Sequence, residues 1–198
     1  MRYVNVAALL ALCVAASAFG ADTDSPADGP GGPLAVFDSQ GKYVGPLVSF
    51  VDQSIATVIV VNGAIIVVPI SRVTSSSGHY SASKFAWTSS SPFINYPTAD
   101  CSGPPIILST TYIGTGDAAP ARPSVTVRTG TETIAYIAPD TYSSSIQNPS
   151  QEQANNGGCA VSPITSSVSG WLPASTYSLS QNYPEPLTVR IDDRRGRR

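Results

Sequence analysis

The stretch Ile55-Ala-Thr-Val-Ile-Val-Val61, Asn62-Gly63, Ala64-Ile-Ile-Val-Val-Pro-Ile70 decides the fold class. Asn-Gly between two β-branched runs is the strongest short hairpin signal, because a type I′ turn needs positive φ at both central residues. Both arms are apolar on both faces, which predicts a hairpin that is central or covered on each side. The rest of the chain agrees. After Gly20 there are 15 Val and 14 Ile against 6 Leu, 3 Glu, 2 Lys and no Met, so strand formers are in excess and helix formers nearly absent. Dense Pro and Gly (17 and 16 of 198 residues) punctuate the chain into short segments. No window keeps apolar residues at i, i+3, i+4 and i+7 for three turns. The one helical candidate is Ser150-Gln-Glu-Gln153, a capping-box pattern good for about one turn before Asn155-Asn-Gly-Gly158.

Working outward, Leu34 to Asp38 and Lys42 to Phe50 form a first hairpin turning at Ser39-Gln-Gly41. Further strands are predicted at Tyr80 to Trp87, Phe93 to Tyr96 and Pro105 to Tyr112. Ser124 to Arg128 and Glu132 to Ala138 pair across Thr129-Gly130, and weaker strands lie near Ala160, at Thr176 to Leu179 and at Leu187 to Ile191. About ten short antiparallel strands at this spacing predict a small sandwich or a partly open barrel. The polar excursion from Asp140 to Gly158 has too few apolar residues to hold itself against a core. The β-domain is placed at residues 34–191, because a cut near Pro120-Ala-Arg-Pro123 would be spanned by the disulfide proposed below.

Residues 1–20 are expected to be a signal peptide. Arg2 supplies the positive start, Val4 to Ala16 an apolar run too short to span a bilayer, and Ala16-Ser-Ala18 and Ala18-Phe-Gly20 small-residue cleavage sites. No later segment is long enough to be transmembrane. Residues 21–33 (ADTDSPADGPGGP) read as a flexible stem. Export leaves two cysteines, Cys101 and Cys159, in an oxidising compartment, and an even pair there implies one disulfide. Closing that loop is worth about 4 kcal/mol on the chain-entropy model.

Charge narrows the function classes. The chain is 12% charged with a net charge of −2 and a single His, which excludes most His-based metal and acid–base chemistry. Five of the ten Lys and Arg after Gly20 fall in Arg190 to Arg198; the body from Ala21 to Val189 has 5 basic and 11 acidic residues. The segment 192–198 is read as a solvated basic tail, and nucleic acid is not an expected partner. Tyr96, Tyr142, Trp171, Tyr177 and Tyr183 lie in Ser/Pro/Gly-rich stretches where exposed rings could stack on a sugar or a protein surface.

Motifs for chemistry fail one after another. Ser81-Ala-Ser-Lys84 matches the S-x-x-K of penicillin-recognising serine enzymes, but that chemistry needs a helix start, and Tyr80 to Trp87 alternates as a strand. His79 with Ser75 to Ser77 and Asp52 or Asp100 has no signature that places it as a triad. Gly114-Thr-Gly116-Asp-Ala-Ala119 mimics a dinucleotide turn, yet Pro120 and Pro123 forbid the helix it needs. Asp22, Asp24 and Asp28 lack the bidentate Glu of a calcium loop. No catalytic, cofactor-binding or metal-ligating residue is assigned.

Val36-Phe-Asp38-Ser-Gln-Gly41-Lys-Tyr-Val44-Gly45, followed by the Asn-Gly hairpin and by Asp100-Cys101-Ser-Gly103, resembles exported proteobacterial proteins of uncharacterised function. Their pattern is V-x-D-x-x-G-x-x-V-G with a later D/N-C-x-G segment. The resemblance implies an exported β-domain and transfers no catalytic residue. The expected function is binding, or a structural role in the envelope or an appendage, with envelope polysaccharide or another exported protein as partner. The alternative is a secreted hydrolase working through two carboxylates, as in glycosidases. Cleavage between Ala18 and Ala21 is expected, and intact mass of the exported chain checks it; a chain keeping Met1 in the cytosol would overturn both export and the oxidising compartment.

Overall fold

A computed structural model describes residues 32–49, 55–109, 121–154 and 157–192, all within one compact unit, Gly31–Arg198. The signal segment, the stem up to residue 31, Asp52, the Gly114–Ala119 turn and tail residues 193–198 lie outside the described residues. Among the described residues no helix is long and apolar enough to cross a membrane.

At Asn62-Gly63 the backbone takes φ of 50° and 82°. Strand β3 (Ile55–Val61) therefore folds back on β4 (Ala64–Thr74), with Val61 opposite Ala64 and Ile55 opposite Ile70. Period two sends Ile59, Val61, Ile66, Val68 and Ile70 into a core. The other face is not covered throughout, as the sequence had suggested: Val60 is 66% exposed and Ile65 46%. The hairpin is a wall of a closed barrel, and a barrel strand needs only one buried face.

The barrel joins β1 (Leu34–Phe37), β2 (Tyr43–Ser49), β5 (Tyr80–Trp87) and β13 (Leu187–Ile191) to that hairpin in the order β1-β13-β5-β4-β3-β2. Its first turn explains the V-x-D-x-x-G-x-x-V-G pattern residue by residue. Val36 and Val44 fill the core. Buried Asp38 accepts the N–H of Gln40 (2.9 Å) and of Lys42 (2.8 Å) on Oδ1, and Gly41 sits at φ 79°. Gly45 pairs with Val36 of β1 just before β2 turns to pair with β3 from Leu47 on, and an added Cβ there would lie 2.0 Å from the carbonyl oxygen of Val58.

A three-stranded sheet covers the barrel, built from β8 (Ser124–Thr129), β9 (Glu132–Ile137) and β12 (Ser175–Ser178) in the order β12-β9-β8. Strand β9 is apolar on both faces. Ala135 and Ile137 join the barrel core with Trp87, Leu179 and Leu187. Tyr136 turns the other way and, with Val125 and Val127, meets a second core of Ile94, Tyr96, Ile107 and Ala138. That second core is closed by a sheet of β6 (Phe93–Tyr96), β10 (Ser144–Gln153), β11 (Cys159–Trp171) and β7 (Ile107–Leu108), in the order β6-β10-β11-β7. Arg128 of β8 forms a two-point ion pair with Glu185, which also accepts the N–H of Trp87, so the sheet is bolted to the barrel. The outer edge of β8 is covered by hydroxyls: Ser90 Oγ accepts the N–H of Thr126 (2.9 Å) and Ser89 Oγ that of Arg128 (3.0 Å).

The all-β class holds, and five local expectations are corrected. Ser150 to Gln153 is not a helical turn but the end of β10, paired with β11 on one side and β6 on the other. The Ser150 hydroxyl, which would have capped the helix, instead donates to Thr98 O (2.6 Å) and accepts from Cys101 N–H (3.2 Å). The polar Asp140–Gly158 excursion thus holds itself by backbone ladders that need no apolar side chains. The weak strand near Ala160 is the 13-residue β11, and the last predicted strand residue, Leu179, starts a single helical turn, α1 (Leu179–Asn182), capped by Ser178. Asp192, assigned to the tail, is buried and donates its N–H to Pro33 O.

Cys101 and Cys159 are bonded, with Cα atoms 5.8 Å apart, and fasten the 97–103 loop to the start of β11. The D-C-x-G segment is turn geometry, with Cys101 at φ 57° and Gly103 at φ 78°.

Two glycines separate crowding from conformation. Gly45→Ala is expected to cost about 3 kcal/mol or more, because the new methyl meets backbone that cannot yield. Gly63→Ala meets nothing within 4 Å and should cost only about 1–2 kcal/mol for its left-handed φ. Thermal melts check this at roughly 2–4 °C per kcal/mol; equal melting temperatures would show that β2 and β3 can part at Gly45.

Candidate binding site

The register of the β8–β9 hairpin positions the most chemically equipped cleft. Ser124 faces Ile137 across the pair, and beyond the strand ends Ala138 N–H still donates to Pro123 O (2.9 Å). The same register brings Arg122 alongside Pro139 and Asp140, and Arg122 Nη2 lies 2.9 Å from Asp140 Oδ2. Arg122 N–H in turn donates to Ile65 O, which hangs this corner on the tip of the barrel hairpin. Trp171, at the end of β11, forms the opposite wall. Its indole packs on the second core and its Nε1–H donates to Thr141 O (2.9 Å). The barrel and both sheets therefore meet around one cleft of about 380 Å³, lined by Gly63 to Ile65, Ala121 to Pro123, Pro139 to Thr141 and Trp171. Junctions of this kind are where ligand sites concentrate.

The lining mixes polar and apolar surface, the polar part including the ion pair and Thr141. Ile65, Ala64, Trp171 and two prolines supply the walls. The Asp140 side chain is 91% exposed and that of Arg122 26%, so both offer hydrogen-bonding atoms at the mouth. Tyr142, 98% exposed, stands two residues from Asp140. Among the described lining residues Asp140 is the one carboxylate. Elsewhere Glu152 accepts from Tyr96 Oη (2.8 Å), Glu185 holds Arg128, and Asp38 is spent on its turn, with Oδ2 buried and unpartnered. A second concavity of about 210 Å³ lies over the irregular β10–β11 pairing, where Pro149 interrupts the ladder.

The residues weighed from sequence disperse. Ser81 and Lys84 stand on strand β5, where the Ser81 hydroxyl accepts the Lys84 N–H (3.0 Å) and no helix start exists. His79 lies in an exposed turn whose Ser75 Oγ accepts its backbone N–H (3.1 Å). Asp100 is occupied in its own turn, and hydrogen bonds from Ser102 hold its carboxyl below the usual range. Of the five rings weighed as stacking surfaces or as caps on the core, only Tyr142 is exposed. Tyr96 is core, Tyr177 and Tyr183 pack against each other and the barrel core, and Trp171 is half-buried. Arg122, Asp140 and Ile65 were not singled out from sequence. Extending the Thr129-Gly130 hairpin register past its strand ends puts Arg122 opposite Pro139, one residue from Asp140.

No protein-family model matches the chain, no curated protein is similar to it, and no solved structure matches its fold. The site has to be judged on its own atoms. Among the described residues no cluster of His, Cys, Asp and Glu could hold a metal.

Three phenols titrate late. Burial raises Tyr96, with its hydrogen bond to Glu152 and the charge of that residue adding to the shift; burial and Glu132 raise Tyr136; burial and the neighbouring Tyr183 push Tyr177 up to about 12. Because the folded pKa values exceed the unfolded value of about 10, their contribution is complete below pH 10 and lost as pH rises toward 12 and beyond. A spectrophotometric titration should show part of the phenolate signal released only on alkaline unfolding, and Tyr177→Phe should shift that unfolding to higher pH. Ionisation of every tyrosine at about pH 10 in a folded chain would contradict this.

Proposed function

We propose that this chain is an exported binding domain, and that its ligand is a saccharide chain of the envelope or its surroundings held in the Trp171 cleft. One observation carries the proposal: an indole, aliphatic walls and an exposed ion pair line a single open cleft. A pyranose has an apolar C–H face suited to an indole and a rim of hydroxyls suited to charged hydrogen-bonding groups. A glycosidase would need a second carboxylate about 5–10 Å from the first. Among the described lining residues Asp140 has none beside it, which favours binding over hydrolysis.

Co-sedimentation with insoluble polysaccharides tests this. The mature chain should pellet with at least one of them and release no reducing ends. Trp171→Ala should weaken retention about tenfold or more, as expected for an aromatic anchor worth about 2 kcal/mol. Retention unchanged in that variant, or release of reducing ends by the wild type, would overturn the proposal.

A further inference from the structure

We infer that the Arg122–Asp140 ion pair makes the cleft selective for an uncharged saccharide with two adjacent free hydroxyls, and against chains bearing uronate or phosphate. The inference rests on the saccharide reading above and names the substrate class of the same cleft.

The pair is open enough to trade partners. Asp140 faces solvent, and an ion pair screened by water on one side holds its partners weakly, so its atoms are not locked to each other. A guanidinium carries five N–H donors and a carboxylate about four acceptor positions, and their mutual contact uses few of them. What remains is a donor set beside an acceptor set, with the contact atoms 2.9 Å apart. Adjacent pyranose hydroxyls answer both, since each hydroxyl can donate to Asp140 and accept from Arg122. A carboxylate or phosphate ligand only accepts. It would satisfy Arg122 but leave Asp140 facing a like charge at contact distance, a juxtaposition costly in any interface.

Among the described lining residues the others, such as Ile65, Thr141 and Trp171, are uncharged, so the two charges there cancel and no further cation offsets that repulsion.

Affinity electrophoresis and titration calorimetry of the mature chain with glucomannan and dextran (neutral) and polygalacturonate (anionic) test the selectivity. Wild type should bind a neutral polymer at least about tenfold more tightly than polygalacturonate. Asp140→Asn keeps the side-chain shape and removes the charge. It should weaken the neutral ligand several-fold and strengthen polygalacturonate, more so at low salt. Arg122→Gln, whose backbone bond to Ile65 is retained, should weaken the neutral polymer without gaining the anionic one. Wild-type preference for polygalacturonate, or an unchanged preference in Asp140→Asn, overturns the selectivity while leaving the saccharide reading intact. Binding of neither class, or binding indifferent to Trp171→Ala, overturns the saccharide reading itself.

Discussion

Strand β9 packs on both faces, fully through Ala135 and Ile137 and in part through Tyr136, and the rest of the domain is arranged around that constraint. Its Ala135 and Ile137 seal the barrel while Tyr136, one residue between them, belongs to the second core. A strand buried on both sides must be covered twice, which is why a closed barrel and a separate four-stranded sheet occur in a single unit. Each fully buried Ile or Leu contributes about 1.5–3 kcal/mol, so β9 links two apolar reservoirs that neither layer could keep dry alone. The Arg128–Glu185 pair adds a polar fastening at the same seam.

This middle position also makes the cleft. The two chain ends that leave the β8–β9 hairpin emerge at the common margin of all three layers. There they meet the tip of the barrel hairpin on one side and Trp171 on the other. Arg122 and Asp140 lie just beyond the strand ends, and the hairpin, carried on by Ala138 N–H to Pro123 O, brings the two chain ends to one side of the cleft. A site anchored on paired strands is in part pre-organised.

How legible this was depends on what kind of signal each element carries. The barrel hairpins were readable because turn chemistry and apolar alternation coincide, as at Asn62-Gly63 and at Asp38 to Gly41. Strands β10 and β11 were not, since Ser, Gln and Asn fill their exposed faces and the ladder that holds them leaves no trace in hydropathy. Ser150 shows the ambiguity most sharply: the same hydroxyl that suits a helix cap is used to tie Thr98 and Cys101 to the strand. The disulfide was legible from the even pair that remains once Cys13 is assigned to the leader. Arg122 and Asp140 escaped notice because each sits among prolines that look like linker, and only the hairpin between them gives the pairing meaning. The V-x-D-x-x-G-x-x-V-G residues, by contrast, were conspicuous and turn out to be scaffold.

The serine-capped edge of β8 has a consequence for behaviour in crowded solution. An open strand edge is a template for other chains, and many proteins blunt it with charge. Here the N–H groups of Thr126 and Arg128 are already taken by Ser90 and Ser89. Blocking by neutral hydroxyls does not weaken with ionic strength or acidity, as electrostatic gatekeeping does. This edge therefore stays closed to fibril-like self-association in brine or acid, conditions under which a chain with so few charges has little other colloidal defence.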